Sequence, residues 1–393
     1  GDVVHSRPVA INFGTDTATK VVVFYGGNDG VLRAINGNRD GGASIGSAGP
    51  GSELWSFVPT EFYGKFKRLR DNNPPISYPG SPAPSAQPKD YGFDGPVTAY
   101  KVSAGRAWVY ASMRRGGRAL YAFDVDMANP GAPTLKWKKS YTDADFAGLG
   151  QTWSSPKVIK SAYDNGAAPI LIIGGGYDPC EDTETGTANH SCTTASSGNH
   201  IYVLDADDGT RHTTLTLPKS QGTDPNRGVV GDITVVNDPV TGWAKYAYAA
   251  DLGGNIYRIN IGNAAPADWT ITKIASLGCE DAGICAANRK FMFAPDVVED
   301  NGAYVLLIGS GDREKPLNAY TVTKGVSNYF FMVKDKPSDP TWLSSESLNC
   351  SASVICKASL TAISSNPSAS TLAASKGWYL EMRSTEQVVT SAI

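Results

Sequence analysis

The chain repeats one pattern five times: an apolar strand that ends in a glycine-rich turn, followed by an aromatic and β-branched strand that ends on Asp or Asn. Recurrence of one strand-turn-strand unit along a chain is typical of small sheets repeated around an axis. The predicted fold is therefore a β-propeller. The repeats are VVVFYGGNDGVLRAINGN from Val21, RAWVYASMRRGGRALYAFDVD from Arg106, ILIIGGGYD through NHIYVLDADDGT from Ile170, AYAADLGGNIYRIN from Ala247, and VLLIGSGDREKPL through NYFFMVKD from Val305.

Each repeat is preceded by a short apolar run, and four are followed by an alternating one, so a repeat predicts a four-stranded blade. No long window keeps a helical period, and the predicted class is all-β. The leading runs, expected to be the innermost strands, are HSRPVAI at His5, DGPVTAYKV at Asp94, SSPKVIK at Ser154, GDITVVN at Gly231 and FAPDVVED at Phe293. The closing runs are ELWSFVP at Glu53, LKWKKS at Leu135, HTTLTLP at His212 and WTITKIA at Trp269.

The repeat count predicts that residues 1–393 are a single β-propeller domain that is incomplete at its C-terminus. QVVTSAI, from Gln387 to Ile393, has the character of another innermost strand, which gives five complete blades and the start of a sixth. An unfinished blade exposes unpaired backbone groups. We therefore expect the native chain to continue past Ile393, in a complete domain of about seven blades. Any targeting signal is expected upstream of Gly1.

Composition and charge limit the partners of this chain. Its 393 residues are 41% hydrophobic, which suits a large buried core, and 42 glycines with 24 prolines suit many tight turns. A net charge of −3 provides no broad basic field, so duplex nucleic acid is not expected as a partner. The basic run KFKRLR at Lys65 is predicted to be a solvated loop between blades. No apolar run is long enough to cross a bilayer.

The six cysteines form three near neighbours in sequence: Cys180 with Cys192, Cys279 with Cys285, and Cys350 with Cys356. Each pair closes a short polar loop, which favours local disulfides and an oxidising compartment. Metal binding is the alternative, but the C-x-x-C spacing is absent from the sequence. The histidines, which do not cluster with the cysteines in sequence, are His5, His190, His200 and His212.

The sequence contains none of the common hydrolase, metalloprotease or phosphate-loop motifs, and we expect no enzymatic activity. In DADDGT, the carboxylates Asp205, Asp207 and Asp208 resemble the start of a calcium loop, but Gly209 follows where a further ligand is needed. A tight turn is the preferred interpretation of that stretch.

Two further charged stretches have a functional and a structural interpretation. An acidic cluster of Asp178, Glu181, Asp182 and Glu184 could hold Ca²⁺, but a solvated insertion beside the Cys180 loop is favoured. In GSGDREKPL, the alternating charges from Asp312 to Lys315 could contact a partner. Pairing with each other and with a neighbouring blade is favoured there.

Several stretches resemble the C-terminal domain of the PilY1/PilC proteins, the tip-associated factors of bacterial type IV pili. They follow in order along almost the whole chain, and GSGDREKPL is the most unusual of them. The stretches are GDVVHSRPVAI with YGGNDGVLRAIN, YGFDGPVT, GGGYDPCED, YAADLGGNIYRIN, GSGDREKPL and NYFFMVKD.

The resemblance implies a modified β-propeller at the pilus tip that supports pilus assembly and extension, twitching motility and adhesion. It implies secretion through the periplasm to the bacterial surface, with minor pilins as partners and host-cell or surface receptors as further ones. The variable N-terminal region of such proteins is absent from this sequence.

The resemblance also implies a position for calcium, in a loop between the first two strands of a middle blade. That loop is NDPVTGWAKY here, and only Asn237 and Asp238 offer side-chain oxygens of the required kind. Since Ca²⁺ takes six to eight oxygen ligands, a plain hairpin loop is the preferred alternative. Calcium at Asn237 and Asp238 stays a possible cofactor, and the absent Arg-Gly-Asp tripeptide leaves integrin binding by that route without support.

Two other function classes remain open. Quinoprotein dehydrogenases are propellers with similar repeats, echoed here in YVLDADDGT, but they need adjacent cysteines, which this sequence lacks. A glycan-binding propeller would stack sugars on exposed aromatic side chains, for which Trp153, Trp243 and Trp378 are candidates. Packing in the core is the expectation for all three tryptophans.

Overall fold

The structure, a computed structural model, describes residues 2–77, 85–182, 197–219, 227–280, 285–316, 320–364, 368 and 375–392. These residues form five separate β-sheets joined by connections with short helical turns. The chain divides into two compact units: unit 1 consists of Gly1–Val158 with Asp207–Gly209, and unit 2 of Ile159–Ala206 with Thr210–Ile393.

The first two sheets each contain four strands in sequence order, every strand antiparallel to the next. The strands of the first sheet are β1 (Val9–Asn12), β2 (Val21–Gly26), β3 (Leu32–Asn36) and β4 (Glu53–Phe57). Those of the second sheet are β5 (Val97–Ser103), β6 (Arg106–Ser112), β7 (Ala119–Asp126) and β8 (Thr134–Ser140).

The third and fourth sheets repeat this order, and the fifth adds a strand. The third sheet contains β9 (Lys157–Ile159), β10 (Ile170–Gly174), β11 (His200–Asp205) and β12 (Arg211–Thr216). The fourth contains β13 (Thr234–Asn237), β14 (Ala244–Ala250), β15 (Asn255–Asn260) and β16 (Thr270–Ser276). The fifth contains β17 (Asp296–Asp300), β18 (Ala303–Gly309), β19 (Tyr329–Asp335), β20 (Thr361–Ile363) and β21 (Gly377–Glu381).

Helical structure in the described residues is confined to short segments of the connections. The α-helices are α1 (Phe66–Asp71), α2 (Thr321–Lys324) and α3 (Ser347–Cys350). The 3₁₀ turns are Thr60–Lys65, Arg114–Gly116, Ala144–Phe146, Ala162–Asp164, Pro179–Asp182, Pro266–Asp268, Ser344–Glu346 and Lys357–Ser359. None of these helices is both long and apolar enough to cross a bilayer.

The predicted fold class is confirmed: the chain is all-β, and its sheets are propeller-type blades with the strand order of a β-meander. Each predicted leading run supplies the first strand of a sheet, and each predicted closing run supplies the fourth. The pairing between the third and fourth strand shifts register once in each of the first four sheets. Such bulges bend the strand and increase its twist, so all four blades share the same local distortion.

Two sequence predictions are wrong, one at the end of the chain and one at the basic run from Lys65. Gln387 to Ser391 form no strand, although Val388 donates its N–H to the Ser310 carbonyl oxygen at 3.0 Å. The basic run at Lys65 is not a plain loop, since Phe66–Asp71 form α1. The sequence predicted no closing run for the fifth blade, and the structure supplies β21 as its fourth strand, with β20 paired to β21 in parallel.

The core of unit 1 is aromatic. Trp55, Phe93, Tyr121 and Phe123 are buried, and the rings of Phe57 and Phe123 lie 4.9 Å apart in an edge-to-face arrangement. Such ring pairs add about 0.5–1.5 kcal/mol beyond the burial of their area. Aromatic packing therefore joins the first two sheets.

The core of unit 2 has two layers, one on each face of the fourth sheet. On β15, Ile259 packs with Ile172 and Val203 of the third sheet, whereas Ile256 packs with Phe331 of the fifth. Successive side chains of a strand point to opposite faces. The apolar run of β15 is therefore buried on both sides.

Candidate functional site

Charged side chains are grouped in the connections at one end of the sheets. Neighbouring strands are antiparallel. The N-termini of the first and third strands therefore lie at the same end of each four-stranded sheet as the C-termini of the second and fourth strands. We call this the entry end. The connections there contain two networks of charged side chains. The first network, in unit 1, is His5, Asn28, Asp94 and Arg114, and the second, in unit 2, is Glu181, Arg227, Lys290 and Asp312.

The first network is centred on Asp94, whose side chain is fully buried just before β5. Its Oδ2 lies 2.9 Å from Nδ1 of His5, and its Oδ1 accepts a hydrogen bond from Nδ2 of Asn28 at 3.0 Å. Nη1 of Arg114 donates to the same Oδ2 at 3.3 Å. A buried carboxylate is stable only when such partners replace its water. The network therefore joins connections of the first and second sheets.

Arg114 has an unusual backbone conformation for a long side chain, with φ of +46°. This region is sparsely populated by residues other than glycine, and it persists only where the surroundings fix it. Here the guanidinium carbon lies 3.9 Å from the centre of the Trp153 ring, and the backbone N–H donates to the Thr152 carbonyl oxygen. Stacking on Trp153 and the ion pair with Asp94 hold the residue in place. Trp153 lies in the core, as predicted.

The second network links three connections of unit 2 through Glu181. Its Oε1 accepts a hydrogen bond from Nη1 of Arg227 at 3.2 Å, and its Oε2 lies 3.5 Å from Nζ of Lys290. Lys290 in turn donates to Oδ2 of Asp312 at 2.8 Å. All four side chains are at least 93% buried. Loss of one partner from such a network leaves a charge buried without compensation, which costs about 3–5 kcal/mol.

The acidic cluster is different from the predicted solvated insertion. Asp178 and Glu181 are buried rather than exposed, and Oδ2 of Asp178 accepts a hydrogen bond from the Ser197 hydroxyl at 2.9 Å. Glu184 lies outside the described residues. Since Glu181 pairs with cations, the cluster supports the loop structurally. Across the described ranges, no three His, Cys, Asp or Glu side chains are grouped as metal ligands.

The charges of GSGDREKPL form the predicted pairs. Asp312 binds Lys290 of the preceding connection, and Nε of Arg313 lies 3.6 Å from Oε1 of Glu314. Asp312 and Lys315 are buried, at 3% and 4% exposed, whereas Arg313 and Glu314 are partly exposed. The stretch is therefore part of the interior at the entry end.

The loop after Asn237, where the resemblance placed calcium, is a hairpin between β13 and β14. Oδ1 of Asp238 accepts hydrogen bonds from the N–H groups of Val240 and Thr241 and from the Thr241 hydroxyl, at 2.8 to 3.1 Å. These bonds lower the pKa of Asp238. Asn237 is exposed. One oxygen of Asp238 thus stabilises the loop itself, as the hairpin alternative requires.

The DADDGT stretch is the predicted turn, between β11 and β12. The N–H of Asp205 donates to the Thr210 carbonyl oxygen at 2.8 Å, which closes the turn. Gly209 at its end has φ of +72°, and a Cβ atom there would lie 2.6 Å from the Lys139 side chain. Only glycine fits this position without strain.

Two of the three predicted disulfides are present: Cys279–Cys285 and Cys350–Cys356. Cys192, the predicted partner of Cys180, lies outside the described residues. Within the Cys350–Cys356 loop, Ile355 donates to the Ile274 carbonyl oxygen at 3.0 Å, and its own carbonyl oxygen accepts from Ser276 at 2.8 Å. This loop therefore covers part of the outer edge of β16, which would otherwise expose unpaired backbone groups.

An exposed apolar surface lies in the connection between β4 and β5. Tyr63, Phe66 and Leu69 are 60%, 36% and 45% exposed, and we call these three residues the α1 patch. Phe66 and Leu69 line a groove together with Lys67 and Arg70. Arg68 points elsewhere and ties the connection together, with Nη1 2.9 Å from Asp90. Large exposed apolar side chains grouped in this way are typical of contact surfaces.

Sequence reasoning missed most members of both networks. His5, Asp94, Arg227 and Lys290 come from connections that are far apart along the chain, so spacing offers no signal for their contact. The carboxylates were within quoted stretches: Asp94 in YGFDGPVT, Glu181 in GGGYDPCED and Asp312 in GSGDREKPL. The available signal was a carboxylate just before the first strand of a blade, as for Asp94, or after the second strand, as for Glu181 and Asp312.

Comparison with known proteins finds relatives of this chain in sequence and in fold. No family model matches the chain. The type IV pilus biogenesis factor PilY1 of Pseudomonas aeruginosa (strain UCBPP-PA14) is 27% identical over 292 residues, covering 67% of this chain and 21% of that protein. A PilY1 homologue of Xylella fastidiosa is 28% identical over 200 residues, covering 44% of this chain and 14% of that protein. This chain thus spans about a fifth or less of these relatives.

A solved structure has a similar fold over nearly the whole chain. The crystal structure of the Pseudomonas aeruginosa PilY1 C-terminal domain superposes with a TM-score of 0.60 and 18% sequence identity. The match covers 95% of this chain and 74% of that one. Together with the sequence matches, it confirms the predicted resemblance to the C-terminal propeller of the PilY1/PilC proteins.

Proposed function

As a relative of the PilY1/PilC family, this chain is, we propose, the propeller domain of a non-enzymatic type IV pilus biogenesis and adhesion factor. It acts at the pilus tip, where it supports pilus assembly and extension, twitching motility and surface attachment. The observation that carries this proposal is the match to proteins named as type IV pilus biogenesis factors, over two thirds of the chain.

Minor pilins and the tip complex are the proposed partners, and host-cell or surface receptors are the second class. The buried networks support a binding role because they hold the connections of the entry end in one arrangement. A preorganised surface loses less conformational entropy when it binds. The α1 patch is the proposed contact surface for a pilus subunit, since it groups exposed apolar side chains with Lys67 and Arg70.

The proposed location is the bacterial surface, reached through the periplasm. The two disulfides support it, because such bonds persist in oxidising compartments. The dehydrogenase alternative has less support, since the sequence lacks the adjacent cysteines that such a site requires. The non-enzymatic role is therefore preferred.

The experiment compares the full-length protein with a version that lacks residues 1–393, each expressed in the native bacterium after deletion of the gene. Co-purification with minor pilins and with sheared pili, surface piliation and twitching are measured. Immunoblots check that both versions reach the cell surface in equal amounts.

We expect deletion of the segment to abolish association with minor pilins and to reduce surface piliation. Normal association and piliation without the segment would contradict the assembly role. The same strains tested for attachment to host cells would then separate an adhesive role from an assembly role. Chelator added during purification shows whether calcium contributes to the association.

A further inference from the structure

A cleft lies beside the β13–β14 hairpin, at the end of the fourth sheet opposite the entry end. Its volume is about 430 Å³, which is within the range of small-molecule sites. Trp243 is half-buried in its wall. The polar side chains that line it are Asp238, Thr241, Lys245 and Asn263.

The hairpin holds Trp243 in a fixed position. The Asp238 N–H donates to the Trp243 carbonyl oxygen at 2.7 Å, and the Trp243 N–H donates to the Thr241 hydroxyl at 3.3 Å. Gly166 packs against the indole so closely that a Cβ atom there would lie 2.6 Å from Nε1. An aromatic side chain that is positioned before binding loses little entropy when a ligand arrives.

Polar groups beside this indole remain available to a ligand. Asp238 uses Oδ1 for its own loop, whereas its Oδ2 accepts no hydrogen bond from the described part of the chain. Asn263 is exposed and has no hydrogen-bond partner within the same residues. The cleft therefore offers a carboxylate acceptor and an amide that both donates and accepts.

The charges of the cleft indicate a neutral ligand. It contains one carboxylate, Asp238, and one ammonium group, Lys245, so its formal charge is balanced. A phosphate or a polybasic peptide would meet an unfavourable charge at one of these two groups. A ligand with an apolar face for the indole and several hydroxyl groups for the polar side chains fits best.

We propose that this cleft binds a neutral saccharide, with one face of a sugar ring stacked on Trp243 and its hydroxyl groups bound by Asp238 and Asn263. The C–H groups on that face carry partial positive charge and favour the negative face of the indole. Hydroxyl groups donate and accept, which suits a carboxylate beside an amide. The inference is independent of the pilus proposal, because it depends only on the geometry of unit 2.

The test uses saturation-transfer difference NMR on the purified chain with a panel of methyl glycosides: glucoside, galactoside, mannoside, fucoside and N-acetylglucosaminide. Isothermal titration then gives the affinity of each glycoside that shows transfer. The variants are Trp243→Ala, Trp243→Phe and Asn263→Ala. Val240→Ser is the matched control, since Val240 is in the same hairpin, is 91% exposed and does not line the cleft.

We expect at least one glycoside to show transfer and Trp243→Ala to weaken its binding about tenfold. Trp243→Phe retains part of the affinity, Asn263→Ala lowers it, and Val240→Ser leaves it unchanged. Asn263 is exposed, so its variant remains informative if Trp243→Ala fails to fold. Absence of transfer to every glycoside at millimolar concentration overturns the proposal. If Asn263→Ala binds the glycoside as tightly as the unaltered chain does, the saccharide binds to another surface, and the proposal is overturned as well.

Discussion

Arg258 on β15 donates from Nη1 to both carboxylate oxygens of Asp335 on β19, at 2.8 and 2.7 Å. Asp335 is fully buried, and its Oδ2 also accepts the Tyr248 hydroxyl at 2.9 Å. Burial and the Asp335 carboxylate raise the pKa of Tyr248 above its usual value, so this hydroxyl stays protonated and donates. The fourth and fifth sheets are thereby joined by a charged contact inside their apolar interface.

Replacement of Asp335 by Ala is expected to lower the free energy of unfolding by about 3–5 kcal/mol, because Arg258 would stay buried without its partner. Urea unfolding followed by circular dichroism measures the change. Asp300→Ala is the matched control, since Asp300 is exposed at the end of β17, and we expect a change under about 0.5 kcal/mol there. Equal effects of the two substitutions would show that the buried contact does not stabilise the interface.

The sequence predicted the blades well because their signal is local. Alternating apolar residues and glycine-rich turns are encoded within each strand pair, so β2 and β3 follow directly from the repeat. The parallel pairing of β20 with β21 was missed, since the two strands are separated by a connection without a repeat motif. The helix α1 was missed because six residues are too few for a recognisable helical period.

The charged residues were harder to interpret than the strands. Asp94, Asp312 and Asp335 each belong to a stretch that carries the family resemblance, and each is buried in a network of charged or polar partners. Their partners come from other connections or other strands, and one sequence contains no information about such contacts. An argument from composition would place these charged residues in solvent, but in this fold they lie in the interior.

The Cys350–Cys356 disulfide is expected to stabilise the chain by about 2 kcal/mol through restriction of the unfolded state. The loop it closes also pairs with the edge of β16 through Ile355. We expect the Cys350→Ser, Cys356→Ser double variant to unfold at lower temperature by calorimetry. A reductant should lower the midpoint of the unaltered chain at least as much, because it also opens Cys279–Cys285. An unchanged unfolding midpoint in both experiments would show that the disulfide does not stabilise the chain.

We expect unit 1 to lose stability in acid because the Glu61 carboxylate becomes protonated. Partial burial alone would raise the pKa of Glu61, but the Lys138 ammonium and the Tyr121 hydroxyl outweigh it and lower the pKa below 4.5. A carboxyl with a lowered folded-state pKa stabilises the fold above its unfolded-state pKa and loses that contribution as the pH falls through the folded-state value.

Unfolding free energy is therefore measured from pH 6 down to pH 3, and Glu61→Gln should lessen its decline below about pH 4.5. Glu53→Gln is the control, since Glu53 is an exposed carboxylate of β4 that lies 3.5 Å from Arg33. The same pH dependence in Glu61→Gln and the unaltered chain would exclude Glu61 as a source of acid sensitivity.

Calcium at Asn237 and Asp238 is tested through thermal stability. Because Oδ1 of Asp238 is already bonded to its own loop, we expect the same unfolding midpoint in millimolar calcium and in EGTA. Asp238→Ala should lower the midpoint under both conditions, since the hairpin loses three hydrogen bonds. A calcium-dependent rise that Asp238→Ala removes would instead support the metal site.

The α1 patch is expected to contribute to the association with pilus subunits. Leu69→Asp places a charge on an apolar side chain that is 45% exposed, in the wall of the groove beside α1. A central apolar contact in an interface contributes about 2 kcal/mol or more, and we expect at least a tenfold loss of co-purified minor pilins. Val102→Asp is the matched control, because Val102 is 40% exposed at the end of β5 and lies outside the patch. Circular dichroism confirms that both variants fold. Equal recovery of pilins with the two variants would show that the α1 patch is not the contact surface. A loss confined to Leu69→Asp would show that a pilus subunit contacts the connection between β4 and β5.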